Sequence, residues 1–116
     1  DVVVVAASGG ADSFHLVGPA VFKKMQPTAH LVNIARGDVI DEMALIGALQ
    51  ARQIAGAGLD VYEHEPDVPE QLLAFEQVTL LPHLGTAALE VREAMGQMAL
   101  SNVVAFLQGE VPPNLV

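Results

Sequence analysis

His30-Leu31-Val32-Asn33-Ile34-Ala35 is a short apolar run that stops at Arg36-Gly37, and it sets the pattern for the chain. Downstream, Ala55-Gly56-Ala57-Gly58-Leu59-Asp60-Val61 repeats it, with Asp60 near its end and Glu65 following in the next loop. Val78-Thr79-Leu80-Leu81-Pro82 repeats it again and delivers His83. Upstream, Val2-Val3-Val4-Val5-Ala6-Ala7 is continuously apolar and rich in β-branched residues, as expected of a strand covered on both faces. In a parallel sheet the carboxyl ends of all strands share one edge, where ligands bind. An arginine, an acid pair and a histidine on that edge can share one site.

Helical stretches separate these runs. Gly18-Pro19 starts one, with Pro at the first helical position, and Pro27 ends it. Asp41-Glu42 places acids at the start of the next, where the helix dipole favours them. Leu45, Ile46 and Leu49 form its inner face, and Arg52 suits its C-terminal end. An acid- and proline-rich loop from Glu63 leads to a short helix over residues 70–75. A long helix is expected over residues 86–108, with Val91, Met95, Ala99, Val103 and Leu107 at spacing four. Gly109 stops it and Pro112-Pro113 prevents a restart. The order β-α-β-α-β-loop-β-α predicts an α/β fold: about four parallel strands, right-handed crossovers and a long C-terminal helix.

Composition removes several function classes. The chain has 116 residues, a net charge of −9 and only five basic residues. No basic face for a phosphate backbone can be assembled, so no nucleic-acid partner is expected, and an anionic membrane surface would repel the chain. With no cysteine there is no disulfide, thiolate metal site or cysteine nucleophile. No apolar run approaches the roughly 20 residues of a membrane span. A cytoplasmic location is the expectation. Hydrophobic residues make up 52%, mean hydropathy is +0.42 and only 16% of residues are charged. That reads as the interior of something larger, a piece of a longer polypeptide.

Arg36 sits on a glycine-flanked turn, and its guanidinium suits a carboxylate held through two parallel hydrogen bonds. The plainer alternative is a surface arginine on a βα-loop. His83 can donate a proton near neutral pH; the alternative is a helix-entry histidine bonded to backbone. Glu65 could fix that imidazole's orientation. Glu63, His64 and Asp67 read as solvated charges, and His15 and His30 as structural. No metal site is expected, because the four histidines are scattered and no two lie at helical spacing. A serine hydrolase is also unconvincing without a Gly-x-Ser-x-Gly elbow.

Taken together, Asn33-Ile34-Ala35-Arg36-Gly37, Asp41-Glu42, Gly56-Ala57-Gly58-Leu59-Asp60-Val61-Tyr62-Glu63-His64-Glu65-Pro66, Leu81-Pro82-His83-Leu84-Gly85-Thr86 and Glu90-x-Arg92-x-x-Met95 resemble the D-2-hydroxyacid dehydrogenase family. The opening run and the closing helix look most like its glyoxylate/hydroxypyruvate reductase branch. The resemblance covers almost the whole chain. It implies that residues 1–116 are one partial domain, the later half of a doubly wound, Rossmann-like NAD(P)-binding domain. It also implies that Arg36 binds and polarises a small 2-keto acid, that His83 protonates the carbonyl oxygen, and that Glu65 pairs with His83 and keeps it protonated. Asp60 would contact the nicotinamide carboxamide. Ala6, Ala7, Ile34, Ala35 and Gly85, with Arg36 and His83, would line the nicotinamide and ribose of NADP or NAD. The family's formate dehydrogenases carry an amide where Glu65 stands, so Glu65 favours hydroxyacid chemistry.

The chain also departs from that family. It has no Gly-x-Gly-x-x-Gly fingerprint for the pyrophosphate, no residue that would choose NAD or NADP, and no substrate domain. The loop over residues 8–13 lacks the prolines usual in much of the family. The chain alone is therefore expected to be inactive. The edge of the first strand would be bare, which predicts a homodimer or a companion fragment there. The competing reading is a non-enzymatic, dinucleotide-sensing interaction protein on the same scaffold.

Overall fold

Parallel pairing sets the four apolar runs side by side in chain order. In the computed structural model, which describes residues 1–115, the strands are β1 (Val2–Val5), β2 (His30–Asn33), β3 (Gly56–Leu59) and β4 (Val78–Leu80). Their order in the sheet is β1-β2-β3-β4, every pair parallel. The helices are α1 (Pro19–Phe22), α2 (Glu42–Gln50), α3 (Glu70–Leu73) and α4 (Leu89–Leu107). The expected α/β class and element order are both present. The chain divides into two compact units, Asp1–Leu84 and the segment from Gly85 onward.

In the first unit, alternation decides which side of the sheet is covered. Register aligns Val5, Asn33 and Leu59, and the neighbouring row Leu31 and Ala57, on one face. All five are buried. Leu45, Ile46, Ala48 and Leu49 of α2 are buried in the same core, with Phe22 from α1 and Leu72 from α3. Full burial of one such leucine contributes about 1.5–3 kcal/mol, so this face anchors the unit. Asp41 caps α2 through its side chain, which accepts the Ala44 N–H at 2.9 Å. The helix ends in a 6→1 and 5→2 bond pair, Gln53 N to Ala48 O and Arg52 N to Leu49 O. Arg52 holds the left-handed position there, at φ 53°.

The opposite face corrects one expectation. β1 is not covered on both sides: Val2 is 65% and Val4 55% exposed, and only Val5 is buried. β1 is an edge strand, and Val4 lies in the row of Val32, Gly58 and Thr79, the last of them exposed. The strands are also shorter than the apolar runs. Asn33 ends β2 by turning its side chain onto the Ala35 N–H, so the last bond to β1 is from Ile34 N–H to Val5 O, at 3.2 Å.

In the second unit α4 begins at Leu89, later than expected, and Gly109 stops it as predicted. Gly109 adopts φ 74° and the chain closes a Schellman turn, Glu110 N to Ala105 O and Gly109 N to Phe106 O. Asn102 and Asn114 tie the tail to the helix through two reciprocal hydrogen bonds. Val91, Met95, Val103 and Leu107 of the apolar stripe are exposed. No helix among the described residues is long and apolar enough to cross a membrane.

Candidate active site

Each chemically useful side chain follows the carboxyl end of a strand. Arg36 follows β2, Asp60 and Glu65 follow β3, and His83 follows β4, while Ala6 and Ala7 follow β1. The parallel sheet therefore gathers them on one rim.

At the centre, His83 Nδ1–H donates to Glu65 Oε2 at 2.7 Å. The other Glu65 oxygen accepts the Tyr62 N–H at 3.0 Å, which fixes the carboxylate to its own loop. The hydrogen bond from His83 holds the Glu65 carboxyl below its ordinary value, against the opposing effect of burial. The Tyr62 N–H and the charges of His83 and Arg36 add to the same direction. Arg36 thus acts electrostatically on Glu65. With Nδ1 engaged, Nε2 is the ring nitrogen left to face a ligand. His83 takes φ 55°, a region sparsely used by residues with a Cβ and found repeatedly at functional sites. Its successor Leu84 gives its N–H to Asp60 Oδ1 at 2.7 Å, joining the ends of β3 and β4.

Two residues that the sequence reading passed over build this geometry. Asn33 is 1% exposed, donates to the Arg36 carbonyl at 2.9 Å and accepts the Ala35 N–H at 3.0 Å. This buried amide shapes the turn that presents Arg36, and Arg36 Nη1 closes it by donating to Ala35 O at 2.7 Å. Tyr62 OH donates to Leu81 O at 2.9 Å and lies 3.3 Å from Leu59 O, linking the loop of Glu65 to the segment carrying His83. Its burial pushes the phenol's pKa up. A polar residue inside an apolar run, and the one tyrosine of the chain, were the available signals.

Two glycines set the spacing. A Cβ at Gly37 would fall 1.9 Å from the Tyr62 carbonyl carbon, so only glycine lets the Arg36 turn meet the Glu65 loop. A Cβ at Gly9 would fall 2.8 Å from Arg36 Cγ, so the arginine stem lies directly over the loop after β1.

Two hollows flank the site. One, of about 330 Å³, is walled by Tyr62, Glu65, Pro66, Leu73, Leu81 and His83, among others. A smaller one, of about 100 Å³, lies over the ends of β2, β3 and β4, with Val32, Ile34, Gly58, Asp60 and Thr79 in its lining. Ile34 is exposed and Ala35 buried, while Gly85 opens the second unit. Among the described residues no cluster of His, Asp and Glu suits a metal ion. Glu63 is not a solvated charge, because its carboxylate meets His15 Nε2 at 3.0 Å with its side chain only 18% exposed.

Residues 1–85 match the family described as D-isomer specific 2-hydroxyacid dehydrogenase, NAD binding domain. The chain belongs to the D-2-hydroxyacid dehydrogenase family. The chain is 49% identical over 116 residues to a glyoxylate reductase of Thermococcus gammatolerans, and 47% identical to one of Pyrococcus furiosus. All of this chain is covered in both comparisons, but only 35% and 34% of those relatives, so it spans about a third of their length. Among solved structures, an NADPH-dependent glyoxylate/hydroxypyruvate reductase from Sinorhizobium meliloti, in complex with NADP and malonate, superposes with TM-score 0.91 at 43% identity. That match covers 92% of this chain and 34% of the other. A D-lactate dehydrogenase with NAD⁺ from Lactobacillus jensenii matches with TM-score 0.87 at 27% identity, over 100% of this chain and 39% of its own.

Proposed function

We propose that this chain carries the catalytic side chains of an NAD(P)-dependent reductase of a small 2-keto acid, of the glyoxylate or hydroxypyruvate kind. The observation that carries this reading is the 2.7 Å His83–Glu65 hydrogen bond on the rim that also bears Arg36. Similarity to glyoxylate reductases supports the substrate class. Residues 1–116 then act as one partial NAD(P)-binding domain that is inactive by itself.

The fit to a dinucleotide is partial. The shallow hollow over β2 to β4 has an apolar floor kept low by Gly58 and an acid, Asp60, at its margin. That suits a planar ring carrying a carboxamide. Asp60, Ile34, Ala35, Ala6, Ala7 and Gly85 would hold this end of NADP or NAD. No fingerprint loop is present for the pyrophosphate. The cofactor, when bound, supplies the hydride that reaches the keto carbon.

The chain's own groups do the rest. One Arg36 N–H is spent on Ala35 O, and the remaining donors of the fork hold the substrate carboxylate and carbonyl. Their fixed positive charge stabilises the alkoxide that develops. His83 Nε2–H gives its proton to the carbonyl oxygen, completing the 2-hydroxy acid. Glu65 accepts Nδ1–H and keeps the opposite nitrogen aimed at substrate. The exposed edge of β1 would take a second copy or a companion fragment.

Steady-state reduction of glyoxylate by a longer protein containing this chain, with NADPH and NADH compared, tests the reading. Turnover that depends on Arg36 and His83 is expected. Full activity of a His83→Gln variant would overturn it.

A further inference from the structure

Outside the His83–Glu65 pair, the other ionic cluster of the first unit is His15, Glu63 and Glu42. It lies where three loops meet. His15, after β1, donates its backbone N–H to Asp38 O at 2.8 Å, and Val17 bonds Val39 O and pairs with Ile40. The His15 segment is thus bound to the turn that follows Arg36. The His15 side chain crosses to the third loop, where Nε2–H meets Glu63 Oε1 at 3.0 Å. Glu63 stands two residues before Glu65, and its backbone N–H points at Glu42 Oε2 on α2 through a long 3.5 Å contact. Phe14 stacks on the His15 ring at 3.9 Å, and His15 takes φ 51° to make this reach. A residue with a Cβ adopts that backbone only where other contacts compel it.

We propose that the His15–Glu63 pair, seated on Glu42, is a positioning unit that fixes the loop of Glu65 against the turn of Arg36 and so aims His83. The groups acting around it are His15 from the loop after β1, Glu42 from α2, and Glu63 and His64 from the loop after β3. Glu42 is 8% exposed, and burial raises its carboxyl above the ordinary value, with the charge of Glu63 adding to the rise. Two acids side by side repel, and the imidazole of His15 offsets that repulsion by binding one of them. Without it the loop would lift from α2, taking Glu65 away from its 2.7 Å contact.

The unit as a positioning device for catalysis rests on the reductase reading above, but its geometry can be tested without activity. In the 116-residue chain, ¹³C NMR would follow the titration of the Glu65 carboxyl in wild type, His15→Ala, Glu63→Ala, His15→Gln and Glu63→Gln. The alanine variants should move the Glu65 midpoint upward, toward that of an unpaired glutamate. The glutamine variants, which keep a donor at 15 or an acceptor at 63, should restore it. Unchanged amide shifts at Leu31 and Leu59 would establish that the core is intact. If Glu63→Ala loses those shifts, His15→Ala carries the test. A Glu65 midpoint unmoved in the alanine variants that keep the core, or not restored by glutamine, overturns the proposal. In the longer enzyme, kcat/KM for glyoxylate should fall about tenfold in Glu63→Ala, the loss of about 1.4 kcal/mol of transition-state stabilisation, and recover in Glu63→Gln. Absence of all turnover in wild type would refute the reductase reading while the NMR result still judged the geometry.

Discussion

Gly37 and Tyr62 touch backbone to backbone: a Cβ on the glycine would lie 1.9 Å from the carbonyl carbon and oxygen of the tyrosine. The turn of Arg36 and the loop of Glu65 are therefore neighbours because one residue has no side chain. Gly37→Ala should cost about 1–3 kcal/mol or more, as overpacking against atoms that cannot yield does. Gly47→Ala is the matched control, since nothing lies within 4 Å of the added carbon on α2. That change should stabilise by about 0.5–1 kcal/mol, the helix preference for alanine. Urea midpoints of the two variants should move in opposite directions.

Asn33→Ala should destabilise by about 1–3 kcal/mol, because the Ala35 N–H and the Arg36 carbonyl lose their buried partner together. Its second effect is on Arg36, whose turn loses its brace. In the longer enzyme KM for the keto acid should rise more than kcat falls. A kcat loss with KM unchanged would contradict that role.

The depressed pKa of Glu65 fixes the sign of an acid effect. Its native value lies below the unfolded one, so its contribution is fully present above the unfolded value. It is lost as pH falls through the native value. Glu65→Gln keeps an acceptor for Tyr62 N–H but has nothing to titrate. The stability gap between wild type and this variant, measured by urea unfolding, should be largest near neutrality and close in acid. A gap that widens on acidification would contradict the bond to His83.

His83 is side-chain exposed by 46%, so His83→Gln should leave the fold unchanged. In the longer protein it should lower the reduction rate by about 10²–10⁴-fold, the usual contribution of a placed proton donor. The 116-residue chain by itself should show no glyoxylate-dependent loss of NADPH absorbance.

Val4→Lys tests the open edge. Val4 is 55% exposed on a strand paired on one side only, and a lysine there discourages strand addition. Sedimentation velocity should find the wild-type chain associating as concentration rises and the variant monomeric. A wild-type monomer throughout would remove the expected dimer.

Much of this architecture was legible because buried parallel strands read as apolar runs and their ends face one way. Arg36, Glu65 and His83 could be placed on one rim from that logic alone. Asp41 and Gly109 announced helix limits through local chemistry, and both limits hold. The strand lengths were less legible, since the Asn33 side chain takes Ala35 N–H and ends β2 early. Glu63 was misread because its partner, His15, lies 48 positions away in sequence, and no local spacing reveals such a pair. The bare face of β1 was misread for a related reason: four valines in a row describe a strand that wants cover, not one that has it.

Asn33 also stands at a register position, level with Val5 and Leu59. Sliding β2 by one residue would turn that amide outward and bring Ile34 into its place, as any single-step slip reverses a strand's faces. The error would cost the core its buried Leu31 and deprive the arginine turn of its brace in the same movement. Correct threading of this sheet and correct aim of its chemistry are thus one requirement, and a misfolded copy would be disarmed as well as unstable.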